Sequence, residues 1–237
     1  MTCRALLLLA IVSALAAGAC AQDVQVQAQV HLVYPDSQKA TPRHSSSNVV
    51  FWLAAVPSSA GANADPVVPG HFRMEQRNKS FNPHLLVVPL GSTVDFPNLD
   101  PFFHNVFSQF NGKRFDLGLY EAGSVKGVRF DHEGVSFIFC NIHPEMGAVI
   151  VTLATPYYAV STGSGALTVH NVPPGIYELH LWAEGADTKA LESLTRVVHI
   201  SASQSDLGSF QIPANNRAAP HLNKFGNDYP PDRPSEY

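Results

Sequence analysis

The chain has 237 residues, a formal net charge of −4 and 45% hydrophobic residues, which suits one large or two modest folded domains. No basic cluster or stripe is present, which argues against nucleic acid as a partner. Beyond the first residues, no stretch is long and apolar enough to cross a bilayer.

Residues 1–21 read as an export signal. Arg4 supplies the positive start, Ala5 to Ala17 the apolar run and Ala19-Cys20-Ala21 a small-x-small cleavage pattern, so cleavage is expected after Ala21 and the protein is expected to be exported, to a periplasm first of all. A rival reading lipidates Cys20, but a bulky aliphatic residue would then be expected where Ala17 stands. Cleavage removes Cys3 and Cys20 and leaves Cys140 as the single thiol, unable to form an internal disulfide.

In chain order the remainder reads as β almost throughout. Val24, Val26, Ala28, Val30 and Leu32 alternate with Gln25, Gln27, Gln29 and His31, the period of a half-buried strand. Strand-like runs follow at Val49 to Val56, Leu85 to Leu90, Ser92 to Phe96, Val125 to Phe130, Val135 to Phe139 and Ala148 to Leu153. Ala166 to His170, Tyr177 to Trp182 and Arg196 to Ile200 complete the set, with one weak helix at Thr188 to Leu194. Gly91-Ser92, Glu133-Gly134 and Pro173-Pro174-Gly175 supply turn chemistry between them. Strands this short and dense predict β-sandwiches. Residues 58–71 are expected to be a linker, and residues 213–237, rich in Pro and polar groups, a loosely ordered tail.

The chemistry concentrates in Cys140-Asn141-Ile142-His143-Pro144-Glu145-Met146. A thiolate, an imidazole and a thioether at spacings of three and three let one tight loop present all three around a point. With a second imidazole they form the trigonal set and weak axial ligand of a blue copper site. His104, within Phe102-Phe103-His104-Asn105-Val106, is the candidate for that imidazole. The expected equatorial ligands are therefore His104, Cys140 and His143, with Met146 axial. Asn98, Asn105 and Pro144 are expected to support them: Asn105 by steadying the Cys140 loop, with its N–H toward the sulfur, and Pro144 by stiffening the loop. Phe102, Phe103, Phe107 and Phe139 are expected to limit water access.

Other chemistries fit less well. Zinc favours more thiolates or a carboxylate and no thioether. A binuclear copper centre needs a second thiolate. Oxidases holding several copper ions use His-x-His pairs, and no two of the 11 histidines are two apart. A Cys–His hydrolase needs an orienting third residue and an oxyanion hole, for which no signature is present. His71, His84 and His132 have no partner at ligand spacing and are expected to be surface or capped structural residues.

Residues from about Phe72 to Leu153 resemble a cupredoxin, and the C-x-x-H-x-x-M loop is similar to that of amicyanin. Plastocyanin-like proteins share the form of Phe81-Asn82-Pro83, Val88-Pro89-Leu90-Gly91-Ser92-Thr93-Val94 and Asn98-x-Asp100. Bacterial "methylamine utilization protein" sequences are similar as well. The resemblance implies a Greek-key β-sandwich over 72–154, one type 1 copper ion, no enzyme activity, and His143 as electron portal to a transient redox protein partner. The runner-up function is a copper-binding structural or sensory envelope protein.

Residues Tyr157 to Phe210 resemble part of a prealbumin-like or carboxypeptidase-regulatory-like sandwich. The likeness rests on Ala159 to Val169 and Asn171-Val172-Pro173-Pro174-Gly175-Ile176-Tyr177-Glu178-Leu179. Such a domain would begin with two more strands, and residues 22–57 resemble them. The copper module is thus expected to be inserted between the first strands and the remainder at 155–212, with Trp52 and Trp182 in one domain. Two tandem domains are the simpler alternative. The second sandwich carries no catalytic constellation and reads as scaffold or docking surface.

Overall fold

The computed structural model describes residues 23–35, 45–56, 65–109, 112–215 and 221–229. The expected export signal and Cys20, residues 58–64 of the expected linker and the tail residues 216–220 and 230–237 lie outside the described residues.

The strands are β1 (Val24–Val33), β2 (Val50–Ala55), β3 (His71–Arg73), β4 (Glu75–Arg77), β5 (Ser80–Asn82), β6 (Leu85–Pro89), β7 (Thr93–Pro97), β8 (His104–Ser108) and β9 (Phe115–Tyr120). They continue as β10 (Val125–Arg129), β11 (Gly134–Phe139), β12 (Gly147–Leu153), β13 (Tyr158–Val160), β14 (Ala166–Val172), β15 (Gly175–Trp182), β16 (Arg196–Ile200) and β17 (Asp206–Pro213). The helix α1 (Thr188–Leu194) is capped by the Asp187 carboxylate, which accepts the Ala190 N–H. The chain is all-β apart from this short helix, as the strand density predicted.

One sandwich is built from the middle of the chain. Its sheets run β10-β7-β3 and β6-β12-β11-β8-β9. Between them Met74, Phe81, Val94, Phe96, Val106, Phe130, Ile138 and Ile150 form a core that also takes in Cys140 and Met146. The β4–β5 hairpin joins this unit through a turn in which Asn78 and Lys79 are both left-handed, at φ 54° and 52°. A two-residue hairpin turn of this hand matches the right-handed strand twist.

The other sandwich draws on both ends of the sequence. β1 lies between β14, antiparallel, and β17, parallel. β2 lies between β13 and β15, with β16 outside β15. Phe51, Leu53, Tyr177, Leu179, Phe210 and Ile212 share its core with the inward residues of β1. Trp52 opposes His180 and Val50 opposes Trp182 across β2 and β15, so both tryptophans belong to one sheet.

The outer faces of these sheets meet. Val50, Trp52, Tyr158 and Trp182 on one side cover Leu85, Val87, Val149, Val151 and Leu153 on the other. This contact explains why β2 and, but for Thr152, β12 are apolar throughout instead of alternating: each is buried on both faces. In β12, Ala148 and Ile150 fill the inner core while Val149, Val151 and Leu153 fill the seam. At the seam edge the His84 ring meets the Gly147 carbonyl through Nδ1 at 3.0 Å and the Glu184 carboxylate through Nε2 at 2.6 Å. Glu184 holds the His84 pKa above its ordinary value, despite partial burial acting the other way.

Candidate metal centre

β8 carries the first candidate ligand. Sequence pattern did not mark this strand, because His104, Asn105, Val106, Phe107 and Ser108 are all buried and no alternation survives. The turn that leads into it is folded by Asn98, which is wholly buried. Its amide donates to the carbonyls of Phe102 at 2.7 Å and Tyr120 at 3.3 Å, and its Oδ1 accepts the Asp100 N–H at 3.1 Å. Asp100 thereby faces inward, where its carboxylate takes the His104 Nε2 at 2.8 Å and the N–H groups of Asn78 at 2.6 Å and Lys79 at 3.0 Å.

That contact fixes the His104 ring. With Nε2 held by a carboxylate, Nδ1 is the nitrogen left for a metal, and such a partner raises ligand basicity. Asp100 was part of the motif noted in the sequence, but the role of holding His104 becomes visible only in the fold.

The second set stands between β11 and β12. The Cys140 N–H donates to the Met146 carbonyl at 3.3 Å and the Met146 N–H to the His143 carbonyl at 3.1 Å, closing the loop. His104 Nδ1 lies 3.8 Å and His143 Nδ1 3.5 Å from Cys140 Sγ. The three donor atoms fall within 4.8 Å of one another, the one such group among the described residues. The imidazole centroids are 4.7 Å apart, and the Phe102 ring packs on both, at 5.2 Å from His104 and 5.6 Å from His143. Met146 is fully buried in the same core cluster as Cys140.

The electrostatics suit a soft cation. Burial pushes the Cys140 thiol pKa up, while the backbone N–H groups of Asn105, Ile142 and His143 act in the opposite sense by favouring the thiolate. Burial also lowers both imidazole pKa values, partly offset at His104 by Asp100, and keeps the rings neutral and ready to ligate. One thiol, two neutral imidazoles with Nδ1 facing the sulfur, and a buried thioether on the same loop form a donor set that fits copper.

Some supporting residues act differently from expectation. The Asn105 N–H favours the Cys140 thiolate, but its side chain makes no hydrogen bond to the loop: the amide donates to Asp116 at 2.7 Å. The β8–β9 ladder slips by one residue there. The extra residue lies on β9, where Gly118 adopts φ 65° and its N–H also donates to Asp116 at 2.9 Å. Phe103 is 55% exposed and shields nothing, because the turn projects it to the surface, as the ligand loop does Ile142. Phe107 and Phe139 pack together at 5.9 Å, on the side of the sheet away from the inner core.

Residues 221–229, within the expected tail, lie against the ligand loop. The Tyr229 hydroxyl donates to the Cys140 carbonyl at 2.8 Å and meets His221 Nδ1 at 3.1 Å. His221 stacks on Phe139 at 3.9 Å and places Nε2 2.9 Å from the Pro144 carbonyl. The Lys224 N–H donates to Asn141 Oδ1 at 2.9 Å, and its Nζ pairs with Asp116 at 2.7 Å. Composition could not reveal this, since the segment is held by polar and stacking contacts instead of by apolar burial. Beside it a cleft of about 840 Å³ opens between the sandwiches, walled by Phe137, Phe139, Pro144, Glu145, Glu184 and His221. His71 and His132 lie at the surface beside Asp95 and Asp131, away from the cluster.

No family model matches the chain, and no curated protein matches it. Solved structures similar to part of it include a purple cupredoxin from Nitrosopumilus maritimus, at 24% identity over 35% of this chain and 99% of that one, with a TM-score of 0.32. A mutant of amicyanin in its reduced Cu(I) form is similar at 18% identity over 40% and 98% of the two chains, with a TM-score of 0.33. A Cu-containing nitrite reductase from Thermus scotoductus SA-01 is similar at 23% identity over 40% of this chain and 25% of that chain, with a TM-score of 0.34.

Proposed function

We propose that this protein is an exported cupredoxin that holds one type 1 copper ion through His104, Cys140 and His143, with Met146 as axial ligand, and carries single electrons. The observation behind this reading is the meeting of Cys140 Sγ with two imidazole Nδ1 atoms, one of them 36 positions away in the chain. Copper bound there would supply a one-electron couple between Cu(II) and Cu(I).

The protein's own groups do the rest. Asp100 orients His104, the N–H groups around Cys140 favour the thiolate, and Phe102 packs on both rings. His143 is only partly buried, and exposed Ile142 precedes it, so electrons would enter and leave at that edge. A redox protein docking there would use a small, weak interface suited to brief encounters. The second sandwich, which we read as prealbumin-like, serves as scaffold or docking surface. We read the protein as a carrier and not an enzyme, because its sequence lacks the His-x-His pairs that would hold further copper ions.

The deciding experiment loads the purified protein with Cu(II) and records its visible and EPR spectra. An intense thiolate-to-copper band, absent from Cys140→Ser, is expected. A colourless protein with ordinary tetragonal copper parameters would overturn the reading.

A further inference from the structure

We propose that residues 221–229 are a working part of the metal centre: a strap that holds the ligand loop in the shape that brings its sulfur and imidazole together, with Tyr229, Lys224 and His221 as positioning residues. This rests on the copper reading above.

The loop satisfies few of its own backbone groups. Its internal backbone-to-backbone hydrogen bonds are the two that link Cys140, His143 and Met146. The carbonyls of Cys140 and Pro144 take their partners from the strap instead, at the Tyr229 hydroxyl and His221 Nε2. Adding the Lys224 N–H on Asn141 and the His221 ring on Phe139, the strap touches four of the residues between 139 and 144. Tyr229 bonds the carbonyl of the very residue that bears the sulfur.

Asn105 depends on the strap as well. Its side chain, expected to tie β8 to the loop, reaches the loop only by relay. Asn105 donates to Asp116, Asp116 pairs with Lys224, and the Lys224 N–H holds Asn141. Removing the strap would cut that connection, leaving the strand of His104 and the loop of Cys140 joined through the sulfur, the packed His104, His143 and Phe102 rings, and the sheet.

Stability of the fold does not explain the strap. Among the described residues, neither large core uses a side chain beyond Ile212. The strap's own large apolar groups point outward, Leu222 46% and Phe225 72% exposed. Burial of apolar surface is therefore not what brings it to the loop.

The test compares the full chain with Tyr229→Phe and with a chain ended after Asn215. Copper release to a chelator should be about five- to tenfold faster in Tyr229→Phe, the size of one lost hydrogen bond, and faster still in the shortened chain. The reduction potential and copper hyperfine coupling should shift in both, while metal-free thermal melting barely moves. Metal-free chains give an independent readout, because amide exchange across residues 140–146 should quicken without the strap. Unchanged release, spectra and exchange would overturn the strap. If the intact chain shows no thiolate–copper band, the copper reading falls alone, and amide exchange still decides the strap: quicker exchange upholds it and unchanged exchange ends it.

Discussion

His104 sits in a wholly buried position with its ring held by one carboxylate, and Asp100 accepts from two backbone N–H groups besides. Removing that carboxylate frees the ring to turn while leaving the candidate ligands in the chain. Asp100→Ala should lower copper affinity by about 10- to 100-fold, the usual consequence of deleting a ligand's hydrogen-bond partner, as measured by competition with a chelator. The same residues set the acid response of the metal-free protein. His104 and His143 have folded pKa values below the ordinary 6.5, and burial is the main cause. As the pH falls through that value the unfolded chain takes up protons that the folded one resists, so stability falls. Asp100 acts in the same direction at lower pH. Burial raises its pKa, but the Lys79 and Asn78 N–H groups and His104 outweigh this and hold it below 3.8, so its contribution is lost as it protonates. His84 opposes the trend, since its raised pKa favours the folded state at lower pH, but its pair with Glu184 is half exposed and screened. The melting temperature of metal-free protein is expected to drop between about pH 7 and pH 5, read by calorimetry.

At the scale of single elements, the β4–β5 hairpin shows how a local strain serves the site. Lys79 is left-handed, a conformation that costs a non-glycine residue about 1 kcal/mol, yet its N–H is what meets Asp100. Lys79→Gly keeps that N–H and relieves the backbone, so urea unfolding should show a gain of about 0.5–1 kcal/mol with copper affinity unchanged. The strands differ in how far their patterns could be read. β1 alternates buried valines with exposed glutamines, even though its ladder with β14 shifts by one residue between Val24 and Val26. β17 escaped notice because Gly208 and Ser209 interrupt its apolar positions where the ladder with β1 shifts. β8 escaped because it is enclosed on both faces.

The described residues form two sandwiches joined by an apolar seam, with the strap and the His84–Glu184 pair at its edge. Leu153 is buried in that seam and contributes nothing to either inner core. Leu153→Ala should therefore cost about 2–4 kcal/mol and uncouple the two halves. Calorimetry is expected to resolve two transitions where the parent shows one; a single transition, shifted but not divided, would show that the sandwiches are coupled by other means.

What the sequence determined by itself was local. Alternation along β1 and turn chemistry between short runs dictated an all-β chain, because strand geometry repeats every two residues whatever lies opposite. The donor types of the 140–146 loop and their spacing were equally plain, since a short loop carries its own geometry. Only the tertiary structure decided which atoms meet. It brought His104 to Cys140, turned the ring through Asp100, sent Asn105 to Asp116, and laid residues 221–229 across the loop. Apart from Asp100 and His104, which are close in sequence, these contacts join residues on separate strands or distant segments, and no periodicity along the chain encodes a distance between such residues.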